Sequence, residues 1–285
     1  MFKFRIIGFI LLMGLLGGIF FWEAGGAWLF LAAAPALAAA AVGECCAMLN
    51  RSGRPVLVLP AALMSWFLMV VSLGNINNMF TADPIYRNAI FTGLGVIMLL
   101  LVIAGCARLL RMDETLMAKT FNTFGVVFCF VPPFFGLLLS YFPDPCGYWL
   151  LFLCLTTKAT DTGGYIVGTL TAKLPGGNHK IAPRISPKKS WEGLFGGLLL
   201  SFAVSWAFYC FAPHAPLFWY LPAAFVLSLG SFFGDLTESA IKRMCNIKDS
   251  GSFVPGMGGA FDVLDSFIYN GILFWILYFI KEILQ

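Results

Sequence analysis

The sequence predicts an all-α polytopic integral membrane protein, with about nine transmembrane helices and a catalytic cavity at the cytoplasmic side of its C-terminal half. Three observations predict this. First, 60% of the 285 residues are hydrophobic and 11% charged, against about 45–50% apolar and about 25% charged in soluble domains. Second, the apolar residues gather into runs long enough to span a bilayer. Third, the lysines and arginines crowd onto alternate loops. An ordinary soluble domain, a disordered segment and a disulfide scaffold are excluded by this composition. A spanning helix takes about 20 residues, so nine use about 180 and leave about 105 for loops and tails. A large soluble domain does not fit in that remainder.

The runs fall near residues 5–22, 26–48, 55–74, 89–110, 121–142, 147–170, 191–212, 217–240 and 263–284. The first follows Lys3 and Arg5 as a signal peptide would, but its apolar core is long and further spans follow, which favours an uncleaved helix. With the next four it forms an N-terminal transmembrane region, 1–145. The last four form a C-terminal catalytic region, 146–285, with cytoplasmic loops at 171–190 and 241–262. None alternates with a period of two, which argues against a barrel.

With the N-terminus cytoplasmic, fifteen of the 18 cations, from Lys3 to Lys248, lie on the cytoplasmic face, against Arg87 and Lys281 outside. This asymmetry is the positive-inside pattern, and it accounts for the net charge of +4 better than nucleic-acid binding does. The remaining cation, Lys158, lies within the sixth run, where a charge is costly and a functional role is the default reading. The eight cysteines lack paired CxxC spacing and read as small buried hydrophobes.

Two acidic stretches point to chemistry. The eighth run ends GDLTESAIKRM, which puts Asp235, Glu238, Ser239 and Lys242 on one helical face. The ninth begins FDVLDSFIY, where Asp262, Asp265, Ser266 and Tyr269 repeat that spacing on one continuous helix. Clustered carboxylates in low dielectric repel and need neutralising. A hard divalent cation suits them, and so does a proton or cation pathway; Asp262 also suits an N-cap. Between them, NIKDSGSFVPGMGGAFD offers Gly256, Gly258 and Gly259, either as a tight turn or as a backbone cradle for phosphate. In TTKATDTGGYIVG, Lys158 and Asp161 are spaced for an ion pair. The next loop, KLPGGNHKIAPRISPKKSWEG, is basic and shaped by Gly and Pro, as a polyphosphate receptor is. No Walker A string occurs.

These segments resemble the phosphatidate cytidylyltransferase (CDP-diacylglycerol synthase) family. In that family a Ser, an apolar residue and Lys-Arg are followed after four residues by Lys-Asp, then by a Pro-x-His-Gly-Gly turn and Asp-Arg-x-Asp. SAIKR, KDSG, PGMGG and DVLD stand here with matching spacing, and TDTGGYIVG and ISPKKSWEG resemble two upstream family blocks. The likeness extends over residues 156–266. Met257 stands where the family usually has His, Ala260 where it has a bulkier apolar residue, and Val263 where it usually has Arg. Those departures bear on nucleotide affinity more than on reaction class.

The resemblance implies transfer of CMP from CTP to phosphatidate, giving CDP-diacylglycerol and pyrophosphate, with Mg²⁺ as cofactor; a second, monovalent cation is left open. It implies Asp235 and Asp262 as metal ligands, and Asp265, Lys248 and Asp249 as further catalytic residues. Lys242, Arg243, Ser239, Ser186, Lys188, Lys189, Asp161, Gly258 and Gly259 would bind substrate. The expected partners are CTP, phosphatidate and membrane lipid, without nucleic acid; a homodimer is left open. The expected location is a bacterial inner membrane with the active site cytoplasmic. The alternative from another class is a proton- or cation-coupled transporter using the same carboxylates, which favours inverted repeats, and none is evident. A CTP-dependent polyprenol kinase is a third reading, disfavoured by the signature.

Overall fold

The computed structural model describes residues 2–22, 25–80, 114–141, 147–211, 214–247, 250, 251, 253 and 258–284. Among the described residues, five helices are long and apolar enough to cross a membrane: Gly26–Arg51, Ala118–Leu139, Trp191–Phe211, Leu217–Met244 and Ala260–Ile283. This is the signature of an integral membrane protein, because only structures that satisfy their own backbone groups span lipid. The expected run at 89–110 lies outside the described residues. The chain divides into two compact units, Met1–Val131 with Cys245–Asp262, and Pro132–Met244 with Val263–Gln285.

The first unit contains α1 (Phe2–Phe21), α2 (Gly26–Arg51), α3 (Val58–Phe80) and the start of α4 (Glu114–Leu139). The alanine-rich α2 buries Ala38, Ala41, Val42, Cys45 and Cys46, small side chains that let a neighbouring helix come close. It ends where Ser52 Oγ donates to the Leu49 carbonyl at 2.7 Å and Gly53 takes φ +83°, the left-handed turn that commonly closes helices. The connection onward is tied down by Thr123 Oγ1, which accepts from Leu57 N at 2.9 Å, and by Asn122, which donates to the Pro55 carbonyl at 3.0 Å.

The second unit contains α5 (Tyr148–Thr171), strands β1 (Lys180–Ala182) and β2 (Ser186–Ser190), α6 (Trp191–Phe211), α7 (Leu217–Met244) and most of the C-terminal span. α5 and α6 pack glycine to glycine. A Cβ on Gly163 would strike the Gly196 carbonyl, one on Gly197 would come within 2.6 Å of the Thr160 carbonyl, and one on Gly193 within 2.9 Å of the Gly164 carbonyl. Apolar side chains gain little from meeting in lipid, so close backbone approach through small residues is what joins such helices. Buried hydroxyls and an amide then cross-link the bundle: Thr160 Oγ1 and Ser228 Oγ lie 2.9 Å apart, and Asn270 donates to Thr157 Oγ1 at 2.8 Å.

Two features depart from the expected topology. The last span is a short α8 (Ala260–Leu264) followed by α9 (Phe267–Leu284), with a break at Asp265–Ser266 instead of one continuous helix. The 171–190 connection contains an antiparallel hairpin, pairing Lys180 with Ser190 and Ala182 with Ser186. The turn that leads from α5 into β1 contains Gly176 and Gly177, both at positive φ, which explains the double glycine there.

Candidate functional site

The break at Asp265–Ser266 places one hydroxyl among three carboxylates. Ser266 is buried, and its Oγ lies 2.9 Å from Asp161 Oδ2, 3.0 Å from Asp235 Oδ1 and 2.9 Å from Asp265 Oδ1. A single hydroxyl proton serves one of these acceptors at a time. Lys158 Nζ supplies a second donor, 3.2 Å from Ser266 Oγ and 3.1 Å from Asp161 Oδ2. The sequence-expected Lys158–Asp161 pair is therefore formed, and it belongs to a larger network. Ser231 Oγ donates to the other Asp161 oxygen at 2.7 Å, while Lys189 Nζ lies 3.2 Å from Asp235 Oδ2. With all groups ionised, three carboxylates face two ammonium groups, leaving one negative charge uncompensated within the cluster.

The hairpin brings the cations. Asn178 donates to the Gly168 carbonyl at 2.8 Å and to Ser190 Oγ at 3.2 Å, which fixes the hairpin to the end of α5. Ser190 in turn accepts from Gly193 N at 3.2 Å, an N-cap that starts α6. Glu192 closes the other side, pairing with His179 Nδ1 at 2.7 Å and accepting from His179 N at 3.1 Å. These bonds hold Lys180, Lys188 and Lys189 on a fixed platform.

Carboxylates and platform share one cavity of about 730 Å³, lined by Asp161, Asp235, Asp265, Glu238 and Ser239 together with Lys173, Lys180, Ser186, Lys188 and Lys189. Its volume is in the range of pockets that hold drug-sized ligands, about 300–1,000 Å³. Among the residues expected from the sequence, Asp161, Ser186, Lys188, Lys189, Asp235, Ser239 and Asp265 meet here. Lys242 is ion-paired with Glu238. Arg243 donates through Nε to the Ile185 carbonyl at 3.4 Å, a long contact that leaves most of its donors for other partners.

Gly258, Gly259 and Asp262 belong to the first unit. There Asp262 Oδ2 accepts from Gly259 N at 2.9 Å, and both carboxylate oxygens lie 3.4 Å from Ser250 N. Gly258 takes φ +110°, so this turn requires glycine at that position. Lys248, Asp249 and Met257 lie outside the described residues.

Three residues in these networks were not among the expected site residues. Ser266 was visible only as a small residue on an acidic face. Lys158 was flagged as an intramembrane charge but given no site role. Glu44 of α2 was passed over, although a lone carboxylate inside an apolar run carries the same default functional reading; it accepts from Phe261 N at 3.0 Å.

The donor set is all oxygen, which suits a hard cation such as Mg²⁺. Among the described residues no group of three or more His, Cys, Asp or Glu side chains is arranged to hold a metal ion. One or two carboxylates suffice for Mg²⁺ when substrate phosphates complete the shell.

Apolar spanning helices, an acidic cluster at a helix break and a basic hairpin define a membrane-embedded protein with a polar cavity lined by both carboxylates and lysines. The cytidylyltransferase family model matches residues 3–281, and the chain belongs to that family. It is 31% identical over 226 residues to the phosphatidate cytidylyltransferase of Staphylococcus haemolyticus, covering 73% of this chain and 85% of that protein. It is 43% identical over 122 residues to that of Staphylococcus epidermidis, covering 42% of this chain and 45% of the relative. It is 37% identical over 144 residues to that of Mycobacterium tuberculosis, covering 50% and 42%. The matched stretch therefore spans less than half the length of the S. epidermidis and M. tuberculosis proteins.

Proposed function

We propose that this chain is a phosphatidate cytidylyltransferase, transferring CMP from CTP to phosphatidate and releasing pyrophosphate. The observation that carries the reading is the cavity lined by four carboxylates, Asp161, Asp235, Glu238 and Asp265, together with Lys173, Lys180, Lys188 and Lys189. A triphosphate needs cations around its β- and γ-phosphates, and a site for cation-assisted phosphoryl chemistry needs carboxylates beside them. The family membership and the similarity to phosphatidate cytidylyltransferases support the same reaction.

The lipid phosphate is the nucleophile. A phosphate monoester has a second pKa near 6, so it is largely dianionic at neutral pH and needs no strong general base; this is why Met257 in place of the family's His is compatible with turnover. One of its oxygens bonds to the α-phosphorus as the α–β bridging bond breaks in line, and the electron pair leaves with pyrophosphate. Lys180 and Lys188 bind the departing phosphates. Lys189 pairs with Asp235 and Lys158 with Asp161, which sets an ammonium group beside each of these carboxylates. Resemblance to the family signature makes Asp235 and Asp262 the candidate Mg²⁺ ligands. When bound, the ion offsets repulsion between the two phosphates and stabilises developing charge.

The positive-inside pattern supports a cytoplasmic N-terminus, about nine spans and a cytoplasm-facing site, where water-borne CTP meets a lipid whose chains stay in the bilayer. The deciding experiment presents labelled CTP, phosphatidate and Mg²⁺ to the purified chain in liposomes. Labelled CDP-lipid is expected, lost on EDTA treatment and restored by added Mg²⁺. Substrate left unconverted while the liposomes show proton or cation flux would replace this reading with the transporter.

A further inference from the structure

A carboxylate on α2 grips the loop that carries Asp262, and nothing in the proposed chemistry uses it. Glu44 sits on an apolar helix between buried Val42 and Cys45, where an ionisable group is expensive unless it is bonded. Its Oε2 accepts from the Phe261 backbone N–H at 3.0 Å and from Ser250 Oγ at 3.1 Å. Residues 250 and 261 flank the glycine turn, so one side chain ties together both ends of that loop.

The glycines give an independent indication. A Cβ on Gly251 would strike Glu44 Oε1, and a Cβ on Gly259 would strike Glu44 Oε2 and Ser250 Oγ. The room at both positions is taken by this carboxylate. Asp262 holds the same backbone from its own side, accepting from Gly259 N at 2.9 Å and lying 3.4 Å from Ser250 N. Ser250 and the Gly259–Phe261 backbone are thus fixed between two carboxylates. Phe261, fully buried, adds an edge-to-face contact with Phe130 at 5.4 Å.

We infer that Glu44 is a positioning residue, which anchors Ser250 and the Gly259–Phe261 backbone to α2 and thereby orients the Asp262 carboxylate. The inference rests on the cytidylyltransferase reading for its effect on turnover, but not for the anchoring itself. Glu44 acts through backbone hydrogen bonds and touches no substrate.

The test compares wild type, Glu44→Ala, Glu44→Gln and Ser250→Ala in liposomes, by amide hydrogen exchange over residues 259–264 and by CTP turnover across a Mg²⁺ titration. Loss of an outer hydrogen-bond partner typically costs about 10- to 100-fold in metal affinity or activity. Glu44→Ala is expected to speed exchange in that segment, lower kcat and raise the Mg²⁺ concentration for half-maximal rate, each by at least about tenfold. Glu44→Gln retains an acceptor for Phe261 N–H and is expected to restore protection and to bring kcat within about threefold of wild type. Ser250→Ala should fall between them, and it keeps the comparison available if Glu44→Ala does not fold. Unchanged exchange in Glu44→Ala would overturn the anchoring. Faster exchange with unchanged kcat and Mg²⁺ response would overturn the positioning role, as would a protected Glu44→Gln that is as slow as Glu44→Ala. A wild-type chain that forms no CDP-lipid would overturn the cytidylyltransferase reading and the effect on turnover, while the exchange data would still decide whether Glu44 anchors the loop.

Discussion

Lys189 reaches from the hairpin to α7, where its ammonium lies 3.2 Å from Asp235 Oδ2, donates to the Phe232 carbonyl at 3.0 Å and stands 4.7 Å from the centre of the Phe232 ring. One side chain therefore couples the basic platform to the acidic cluster. Truncating it leaves Asp235 without its strongest counter-charge and unlatches the hairpin. Lys189→Ala is expected to lower kcat/KM by about 10²-fold, measured as CDP-lipid formation in liposomes, with Lys189→Arg intermediate.

Ser266 holds apart three carboxylates that would otherwise repel across a shared space. Ser266→Ala removes the hydroxyl while conserving most of the volume, so the bundle should fold and the cluster should loosen. The expected result is a fall in kcat of about tenfold with a thermal midpoint in detergent close to wild type. Activity equal to wild type would show that Lys158, Ser231 and Lys189 organise the cluster without Ser266.

Lys180 and Lys188 line the cavity from a hairpin anchored by Asn178 and Glu192. Their proposed partners are phosphates, so Lys180→Ala and Lys188→Ala should raise the KM for CTP by about tenfold each, more steeply at low ionic strength, with a smaller effect on kcat. An unchanged KM with reduced kcat would assign them to the attacking lipid phosphate.

Gly163 has no room for a side chain, because its Cβ would meet the Gly196 carbonyl and come within 3.0 Å of Gly197 Cα. Gly163→Val is expected to push α5 and α6 apart at a cost of about 1–3 kcal/mol. A lowered thermal midpoint and loss of a monodisperse chromatographic peak would report it. Tolerance of valine would show that the helices do not depend on this contact.

Glu192 accepts from both the backbone and the ring of His179, closing the hairpin onto α6. Glu192→Ala is expected to release the hairpin, raising the KM for CTP about threefold and exposing the 172–185 segment to trypsin, which cuts at its lysines and arginine. Unaltered proteolysis would mean that Asn178 and the strand pairing suffice.

The membrane class, the acidic and basic segments and the helices among the described residues were legible in the sequence alone, because burial in lipid demands long apolar runs and penalises every charge within them. That penalty makes Lys158, Asp161, Asp235 and Asp265 conspicuous in one dimension. The signature spacing from Ser239 to Asp265 likewise needed no coordinates. The tertiary structure alone decided which of these groups meet. Ser266 became the centre of three carboxylates because the last span breaks beside it, and Gly234, where a Cβ would strike the Asp265 carbonyl, lets α7 approach that break. The loop expected at 171–190 contains a hairpin, held where Asn178, Ser190 and Glu192 pair with groups up to 13 residues away. Glu44 joins Ser250 and Phe261 across 206 and 217 residues. Hydrophobicity is a local property that a sequence displays directly, whereas hydrogen-bond partners separated by such lengths of chain are selected by helix packing, register and the close approach of backbones.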